Sequence, residues 1–552
     1  MLHEIGHYAF DIIGFLIILG PLVIAHEFGH YIFARIFGVK AEVFSIGFGK
    51  KLWSRQVGET ELRLSMLPLG GYVKLLGEDR EAALSPADLK RALHRQPPWK
   101  RFFIFFGGPF FNFCFAILIF MLILVVGEPK LSNVVGRVVR ESAAAKAGFV
   151  SGDRIIGVNG KPMKRFDDIM DVVGENPGKP MRFEVIHPGA KRSAELVVTP
   201  SAEPGYSLYG EPKPVGDIIG LIPSPLVPEV GVSDPRSIAG RAGVKTGDSI
   251  VEMNGVPVKT FEQAQSIYAS AATRSAVRVK FERASAENAK SSYSAVMIKP
   301  SGSRPMGEAW GLYSSELFVD KVIDGSPAAR AGIKAGDRII DIDGKRIFSF
   351  FDMKDAIQTS GAKQGKVELR WQRGGRLVTA TIIPKATASR NEILKKTTSY
   401  TVGIVPKLEM AEPEMTIDRV WNPFVLFYKG TVRMVVFTWR NFVSIAKMLT
   451  GTVSFATLGG PIMIGKIAGE SLARGLIAFL TNMAFLSVGL GVLNVLPIPV
   501  LDGGHLMLLA IETVRGKPLT LRTMEIIQSI GLTAILVLMF LVMRNDLIRA
   551  FH

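Results

Sequence analysis

Four apolar runs constrain this chain more than any other feature of its 552 residues. They occupy residues 12–25, 102–126, 475–501 and 524–543. About 20 apolar residues in an α-helix cross the hydrocarbon core of a bilayer. Because lipid leaves only helices and closed barrels as spanning structures, the runs predict a polytopic α-helical membrane protein with about four transmembrane helices.

Basic residues indicate how these spans are oriented. Residues 35–101 hold 13 Lys and Arg against 7 Asp and Glu, and cytoplasmic loops carry an excess of such charges. We therefore expect this loop in the cytoplasm, with the N-terminus on the outer side. The segment from about 128 to 420 is then external, and the last span returns the C-terminus to the outer side.

Charge also indicates the class of partner. The net charge is +17, but the chain has no concentrated basic tail, so we expect attraction to lipid headgroups and no binding of nucleic acid.

Within segment 415–450, residues 420–449 interrupt apolar stretches with four basic side chains. This pattern favours a helix lying at the outer membrane surface. A fifth span is the alternative, and it would reverse the orientation of the two later spans.

The external segment contains a threefold repeat. AGFVSGDRIIGVNG occupies 147–160, AGVKTGDSIVEMNG occupies 242–255 and AGIKAGDRIIDIDG occupies 331–344. In each copy Gly-Asp predicts a turn before a strand, Asn-Gly or Asp-Gly predicts a tight hairpin, and a helical stretch comes next. With a single cysteine in the chain, such domains cannot rely on disulfides and need cores of their own.

These copies resemble the PDZ domain of bacterial envelope proteases. The predicted parts of the chain are a membrane part at 1–127, PDZ-like domains at 130–203, 214–302 and 314–388, the surface helix at 415–450 and a membrane part at 451–552. The middle domain fits the pattern less well, because SDPRSIAGRAG replaces the Ser-Pro-Ala lead-in. PDZ domains bind extended peptides at a sheet edge. Spacers or a steric filter without a ligand are the alternative.

The motif His-Glu-x-x-His occurs twice, at 3–7 and at 26–30. Two histidines four residues apart share one helix face, so both imidazoles can reach one Zn²⁺ while the Glu holds a water. The first copy lies at the start of the chain, where imidazoles are usually solvated. In the second copy, His26, Glu27 and His30 come after an apolar run. Ionisable groups there are costly unless paired or lining a wet cavity, and we expect this copy to be the chemical one.

A catalytic zinc usually takes three protein ligands, and His26 and His30 leave one missing. Asp502, in NVLPIPVLDGGH at 494–505, is the best candidate. An unpaired carboxylate after an apolar run is costly, and a cation removes that cost.

The same stretch carries further polar residues and helix breakers. Pro497 and Pro499 interrupt the helix and can direct side chains into a cavity. Asn494 lies two helical turns before Asp502, where it can hold the backbone of a substrate. His505 is interpreted as a bystander.

HEFGH in the first span together with NVLPIPVLDGG in a late span resembles the site-2 protease family of intramembrane zinc metalloproteases. The order of a span pair, external PDZ domains and a second span pair is similar to its bacterial regulator-of-sigma-E protease branch. GGPFFN at 107–112, a membrane-associated β-hairpin loop at 44–75 and LGGPIMIGKIAG at 458–469 are similar to the family as well. The best-known members carry two PDZ domains, whereas three are identified here.

The resemblance implies roles for seven residues: zinc ligands His26, His30 and Asp502; general base and proton shuttle Glu27; substrate or oxyanion contact Asn494; loop residues near the site Gly47 and Gly49. It also implies a bacterial inner-membrane enzyme that cuts single-span proteins such as anti-sigma factors, and signal-peptide remnants. The zinc site would lie near the cytoplasmic side, with the PDZ domains in the periplasm.

Three questions stay open from the sequence. The alternation in TELRLSML at 60–67 indicates a strand with an available edge. We expect residues in the 60–75 region to pair with an unwound substrate. The alternative is that this segment only covers the cytosolic ends of the helices.

A membrane-anchored PDZ scaffold without catalysis is a rival function, although a scaffold has no need of buried metal ligands. A zinc transporter is a second rival, although its polar groups would line several helices.

Overall fold

A computed structural model describes residues 2–78, 84–206, 212–284, 290–302, 304–389, 397–451, 453 and 458–551. The chain forms two compact units. The first, called the membrane unit below, combines Met1–Glu128 with Ile417–His552, and the second, called the repeat unit, is Pro129–Thr416.

The first part of the membrane unit consists of two long helices with a β-sheet between them in sequence. Its elements are α1 (Leu2–Ile36), β1 (Ala41–Val57), β2 (Thr60–Leu75), α2 (Pro86–Leu89) and α3 (Pro98–Val126). A Cβ on Gly29 would lie 2.1 Å from the carbonyl oxygen of Gly107. The backbones of α1 and α3 therefore touch at the second histidine motif, as small residues allow in membrane helices. The side chains of His3 and His7 lie outside the described residues.

β1 and β2 are long enough to form four strand segments of one sheet. Residues 51–57 pair with 60–65, while residues 43–46 pair with 61–64 on one side and with 71–74 on the other. The tip of this sheet exposes large apolar side chains: Phe48, Leu52, Trp53, Leu64, Met66 and Leu67. An apolar surface of this kind is typical of a segment that inserts into a membrane or contacts a partner.

The repeat unit contains three copies of one order of elements, and the first copy is the longest. The first copy comprises β3 (Glu128–Leu131), β4 (Arg137–Val138), α4 (Ala143–Lys146), β5 (Arg154–Val158), β6 (Lys161–Pro162), α5 (Phe166–Gly174), β7 (Met181–Ile186), β8 (Ala194–Val198), β9 (Ser201–Tyr206), β10 (Pro212–Asp217) and β11 (Leu221–Ile222). Its main sheet has the order β6-β5-β7-β8.

The second and third copies share the same plan. The second comprises β12 (Glu229–Val232), α6 (Ile238–Arg241), β13 (Asp248–Met253), β14 (Val256–Pro257), α7 (Phe261–Ser270), β15 (Ala276–Ala284), β16 (Lys290–Ile298), α8 (Met306–Trp310) and β17 (Leu312–Ser314). The third comprises β18 (Val319–Val322), α9 (Pro327–Arg330), β19 (Arg338–Ile342), β20 (Lys345–Arg346), α10 (Phe350–Gln364), β21 (Val367–Arg373), β22 (Arg376–Ile382), β23 (Lys385–Ser389), β24 (Thr397–Thr401) and β25 (Ile404–Pro406), and β26 (Met415–Asp418) comes after it.

The predicted hairpin turns are present in all three copies. Asn159, Asn254 and Asp343 have φ of 49°, 49° and 51°, and a glycine at positive φ comes after each of them. Two consecutive residues at positive φ match the two-residue turn that Asn-Gly and Asp-Gly favour. The helical stretch expected after each hairpin is also present, as α5, α7 and α10.

Each copy continues past the predicted domain ends at 203, 302 and 388. A strand near the start of each copy pairs with a short return strand: β4 with β11, β12 with β17, and β18 with β25. Each return strand begins directly after a glycine at positive φ, namely Gly220, Gly311 or Gly403. Strands of two or three residues are too short for alternation to reveal them, so the sequence pattern does not indicate these return strands.

Every copy has a hydrophobic core of its own. Phe183 is fully buried in the first, Trp310 in the second, and Trp371 is 1% exposed in the third. Buried charges also connect the copies, since Arg137 Nη1 donates to Glu316 Oε2 at 3.0 Å. Arg137 Nε lies 3.8 Å from Glu262.

The C-terminal part of the membrane unit is helical. It comprises α11 (Pro423–Leu449), α12 (Pro461–Arg474), α13 (Leu476–Val495), α14 (Asp502–Arg515) and α15 (Leu521–Phe551). Among the described residues, four helices are long and apolar enough to cross a membrane: Asp11–Ile36, Pro98–Val126, Leu476–Val495 and Arg522–Ile548. The amphipathic α11 is not one of them.

The apolar run at 475–501 is not a single helix. α13 ends at Val495, and Pro497 and Pro499 lie in the turn before α14. Proline removes a backbone donor and clashes with the preceding helical turn. Asp502 consequently starts a new helix instead of lying within the third span.

Candidate metal centre

The side chains of His26, His30 and Asp502 converge within the membrane unit. His26 Nε2 lies 3.2 Å from Asp502 Oδ2, His30 Nε2 lies 3.4 Å from Asp502 Oδ1, and the two Nε2 atoms are 3.3 Å apart. In the described part of the chain, these residues form the one group of three or more His, Cys, Asp or Glu with ligand atoms within 4.8 Å of one another.

This donor set fits a zinc ion. Four ligands held about 2.0–2.1 Å from a tetrahedral centre lie about 3.3–3.4 Å from one another, which matches the three observed separations. Asp502 Oδ2 is buried and accepts no hydrogen bond from the described residues. A bound cation would compensate this carboxylate oxygen for its lost hydration.

The turn after α13 brings Asp502 to the histidines. A Cβ on Gly503 would lie 2.1 Å from the carbonyl oxygen of Leu496, and one on Gly504 would lie 2.4 Å from that of Ile498. The two glycines therefore allow the start of α14 to pack against the proline-containing turn. An acidic residue in the first turn of a helix is also favoured by the helix dipole.

α3 supports both imidazole rings without contributing a charged residue. Nδ1 of His30 lies 2.8 Å from the carbonyl oxygen of Ile104. Nδ1 of His26 lies 3.1 Å from the side-chain nitrogen of Asn112. Between them, a Cβ on Gly108 would lie only 2.4 Å from Nε2 of His30. The sequence offered no signal for Ile104, and it indicated Gly108 and Asn112 only through the family resemblance of GGPFFN.

Glu27 is half-buried beside the converging residues and beside β2. A Cβ on Gly71 would lie 3.0 Å from Cγ of Glu27. Residues 71–74 pair only with 43–46 in this sheet, so their second edge has no strand partner among the described residues. An unpaired edge therefore lies next to Glu27.

Within the predicted 60–75 region, the available edge is not the one that alternation indicated. Residues 61–64 pair with 43–46 on one side and with 53–56 on the other, so the expected free edge at 60–67 is wrong. Alternation identifies the two faces of a strand, but it does not indicate which neighbours flank it.

The other predicted residues lie elsewhere in the membrane unit. Asn494 is buried near the end of α13, and within the described chain it makes no hydrogen bond or ion pair with them. A Cβ on Gly47 would meet the backbone of Ser65 and Leu67, and one on Gly49 would meet only the side chain of Leu67. His505 stacks on Phe105, with ring centroids 5.0 Å apart.

Comparisons with known proteins identify the family of this chain. Peptidase family M50 matches residues 14–538. A relative from Neisseria meningitidis, classed by its name with the zinc metalloproteases, is 32% identical over 98% of this chain and 99% of its own. Regulator of sigma-E protease RseP of Escherichia coli is 28% identical over 98% of this chain and 99% of its own.

Among solved structures, the PDZ domain of an SdrC-like protein from Listeria monocytogenes is 27% identical over 17% of this chain and 90% of its own, with a TM-score of 0.14. The family match spans nearly the whole chain, including both histidines and the aspartate. This chain belongs to Peptidase family M50, the site-2 protease family, and is an intramembrane zinc metalloprotease.

Proposed function

We propose that this protease hydrolyses peptide bonds within or near the transmembrane segments of single-span membrane proteins, with an anti-sigma factor as substrate in sigma-E regulation. Signal-peptide remnants are a second substrate class. The convergence of His26, His30 and Asp502 at 3.2–3.4 Å carries the proposal. The relatives named as sigma-E regulators support the substrate class.

His26, His30 and Asp502 hold the zinc ion, and Glu27 is the catalytic base. When bound, zinc acts as a Lewis acid that lowers the pKa of water and polarises the scissile carbonyl. The Glu27 carboxylate takes the proton from the attacking water and donates it to the departing amine. Asn494, buried in the last turn before the helix break, contacts the substrate backbone or the developing oxyanion.

The substrate binds as an added strand at residues 71–74. A transmembrane helix protects its own peptide bonds, so it must unwind before hydrolysis, and unpaired backbone groups are costly in lipid. The free edge beside Glu27 replaces the lost hydrogen bonds. Gly47 and Gly49, which lie in β1 of the same sheet, are next to this substrate.

The three copies in the repeat unit are PDZ domains inserted between spans two and three. They bind peptides or restrict access by size, and both the repeat unit and the chain termini face the periplasm from the bacterial inner membrane. The basic segment 35–101 and the zinc site then lie toward the cytoplasm. α11 lies at the outer surface, because its exposed aromatic and basic side chains suit the lipid interface.

The test uses purified full-length protein in liposomes with a single-span reporter. Glu27→Gln is expected to keep one Zn²⁺ per chain and to lose cleavage, because the amide cannot accept the proton. Glu42→Gln is the matched control, since it removes a carboxylate that pairs with Lys74 on the same sheet, 3.1 Å away. This control is expected to cleave normally.

Other outcomes support the rival functions. Cleavage that persists in Glu27→Gln contradicts the assigned base. Absence of cleavage in every protein, with Zn²⁺ accumulating inside the liposomes, would support a transporter. Absence of both, with peptides bound to the repeat unit, would support a scaffold.

A further inference from the structure

Asn112 touches the proposed metal centre from α3, and the chemistry described above gives it no role. Its side chain is fully buried, and its Nδ2 lies 3.1 Å from Nδ1 of His26. Its other polar atom, Oδ1, is buried and makes no hydrogen bond within the described part of the chain. An unsatisfied buried oxygen costs about 1–3 kcal/mol, so this arrangement needs an explanation.

The opposite orientation of the amide gives Nδ1–H of His26 a hydrogen-bond acceptor, which the orientation with Nδ2 beside it does not. The nitrogen and oxygen of a carboxamide are assigned from the hydrogen bonds they make. Exchanging them places Oδ1 of Asn112 beside Nδ1 of His26, whose N–H then donates to it. In that tautomer the lone pair of the neutral imidazole lies on Nε2. This is the atom that faces His30 and Asp502.

The second histidine has an equivalent partner. Nδ1–H of His30 donates to the carbonyl oxygen of Ile104 at 2.8 Å, which leaves its Nε2 free as well. Ile104 and Asn112 are about two helical turns apart on α3 and share one face. Ser487 of α13 donates its hydroxyl to the main-chain oxygen of Asn112 at 2.8 Å, which holds this turn of α3 in place.

We propose that Asn112 is a positioning residue whose amide oxygen accepts Nδ1–H of His26 and thereby keeps Nε2 of His26 unprotonated and directed at the metal. This inference rests on the metal site proposed above. Partners of this kind fix the tautomer and ring orientation of ligating histidines. Their loss typically weakens metal binding about 10–100-fold.

The experiment measures the affinity of purified full-length protein for Zn²⁺ by competition with a fluorescent chelator. Absorption of the Co²⁺-loaded protein reports ligand geometry independently of activity. Asn112→Leu removes the acceptor at similar volume, and we expect Zn²⁺ binding about 10–100-fold weaker. Asn112→Asp keeps an oxygen acceptor and loses the donor, so we expect an affinity close to that of the wild type. Thr481→Ala removes a hydroxyl that donates to Ile477 within α13; it is the control and is expected to bind Zn²⁺ like the wild type.

The Asp variant separates the two orientations of the amide. If Asn112→Asp binds Zn²⁺ as weakly as Asn112→Leu, the oxygen is not the functional atom and the proposal is overturned. Wild-type affinity in Asn112→Leu overturns it as well. Should Asn112→Leu fail to fold, near-normal affinity and Co²⁺ absorption in Asn112→Asp support the proposal.

Failure of the metal site itself would look different. In that case the wild-type protein would bind no Zn²⁺, or would bind it equally well after His30→Ala. Weak binding in the Asn112 variants alone therefore reports on the positioning role, separately from the identity of the ligands.

Discussion

Gly108 leaves the space in which the two imidazole rings lie, and replacing it by alanine tests this directly. A Cβ at this position would lie 2.4 Å from Nε2 of His30 and 2.6 Å from Cε1 of His26. Since ordinary contacts begin near 3.4 Å, the rings must retreat by about 1 Å or the helices must separate, because packed interiors have little spare room. Metal–ligand distances tolerate shifts of about 0.2 Å.

We therefore expect Gly108→Ala to weaken Zn²⁺ binding at least about 100-fold, or about 2.8 kcal/mol. The assay is chelator competition on purified protein, with circular dichroism to verify helix content. Gly489→Ala is the matched control, because a Cβ on this α13 glycine meets no atom within 4 Å. Both substitutions replace a helical glycine by alanine, which stabilises the helix by a similar amount, about 1 kcal/mol.

A Gly108→Ala protein with wild-type Zn²⁺ affinity and cleavage would refute the reasoning. It would mean that α3 does not approach the rings as closely as described. Equal losses in Gly108→Ala and Gly489→Ala would refute it too, because the effect would then belong to helix glycines in general.

Two further predictions concern stability. Burial raises the pKa of Glu262 from 4.5 to about 7. The folded protein therefore favours the protonated carboxyl: the stability that this group provides is fully present below pH 4.5 and is lost as the pH rises through 7, so the free energy of unfolding falls by up to about 3 kcal/mol. Glu262→Gln should therefore slow hydrogen exchange of the repeat unit at pH 8.5 relative to wild type and change little at pH 4.5; equal effects at both values would contradict this. Asp546 accepts hydrogen bonds from the backbone N–H groups of Gly460 and Met463 at the start of α12, so Asp546→Ala should destabilise that helix by about 1–2 kcal/mol. Hydrogen exchange within α12 checks this, with exposed Glu525→Ala on the same helix as Asp546 as control, and unchanged protection would contradict the capping role.

Local patterns were sufficient to predict the spans and the convergence of His26 and His30, two of the three residues of the proposed metal centre. The apolar runs match the helices that are long enough to cross a membrane, since span length depends only on bilayer thickness. The spacing of His26 and His30 places both rings on one helix face. Asp502 was predicted from the free-energy cost of burying a charge, because a lone carboxylate after an apolar run needs a partner.

Features that depend on neighbours distant in sequence were not predictable in the same way. The return strands of the repeats are short and take their pairing from strands about 80 residues earlier. The free edge at 71–74 depends on which segments flank each strand, and 60–67 has the clearer alternation but two partners. The carbonyl oxygen of Ile104 is a main-chain atom, so no residue type signals its role.

The contacts on α3 also explain why a His-Glu-x-x-His motif alone does not define a metal site. The i, i+4 spacing brings two rings together, but it leaves undetermined which ring nitrogen carries the proton. Here those nitrogens are satisfied by Ile104 and Asn112, which lie 74 and 86 residues away from their histidines. α3 provides no metal ligand among its described residues, yet its acceptors and the gap at Gly108 determine whether the histidines of α1 can bind one. Substitutions on this face of α3 should therefore change metal affinity before they change the fold, whereas substitutions of Glu27 should change catalysis and leave metal affinity intact.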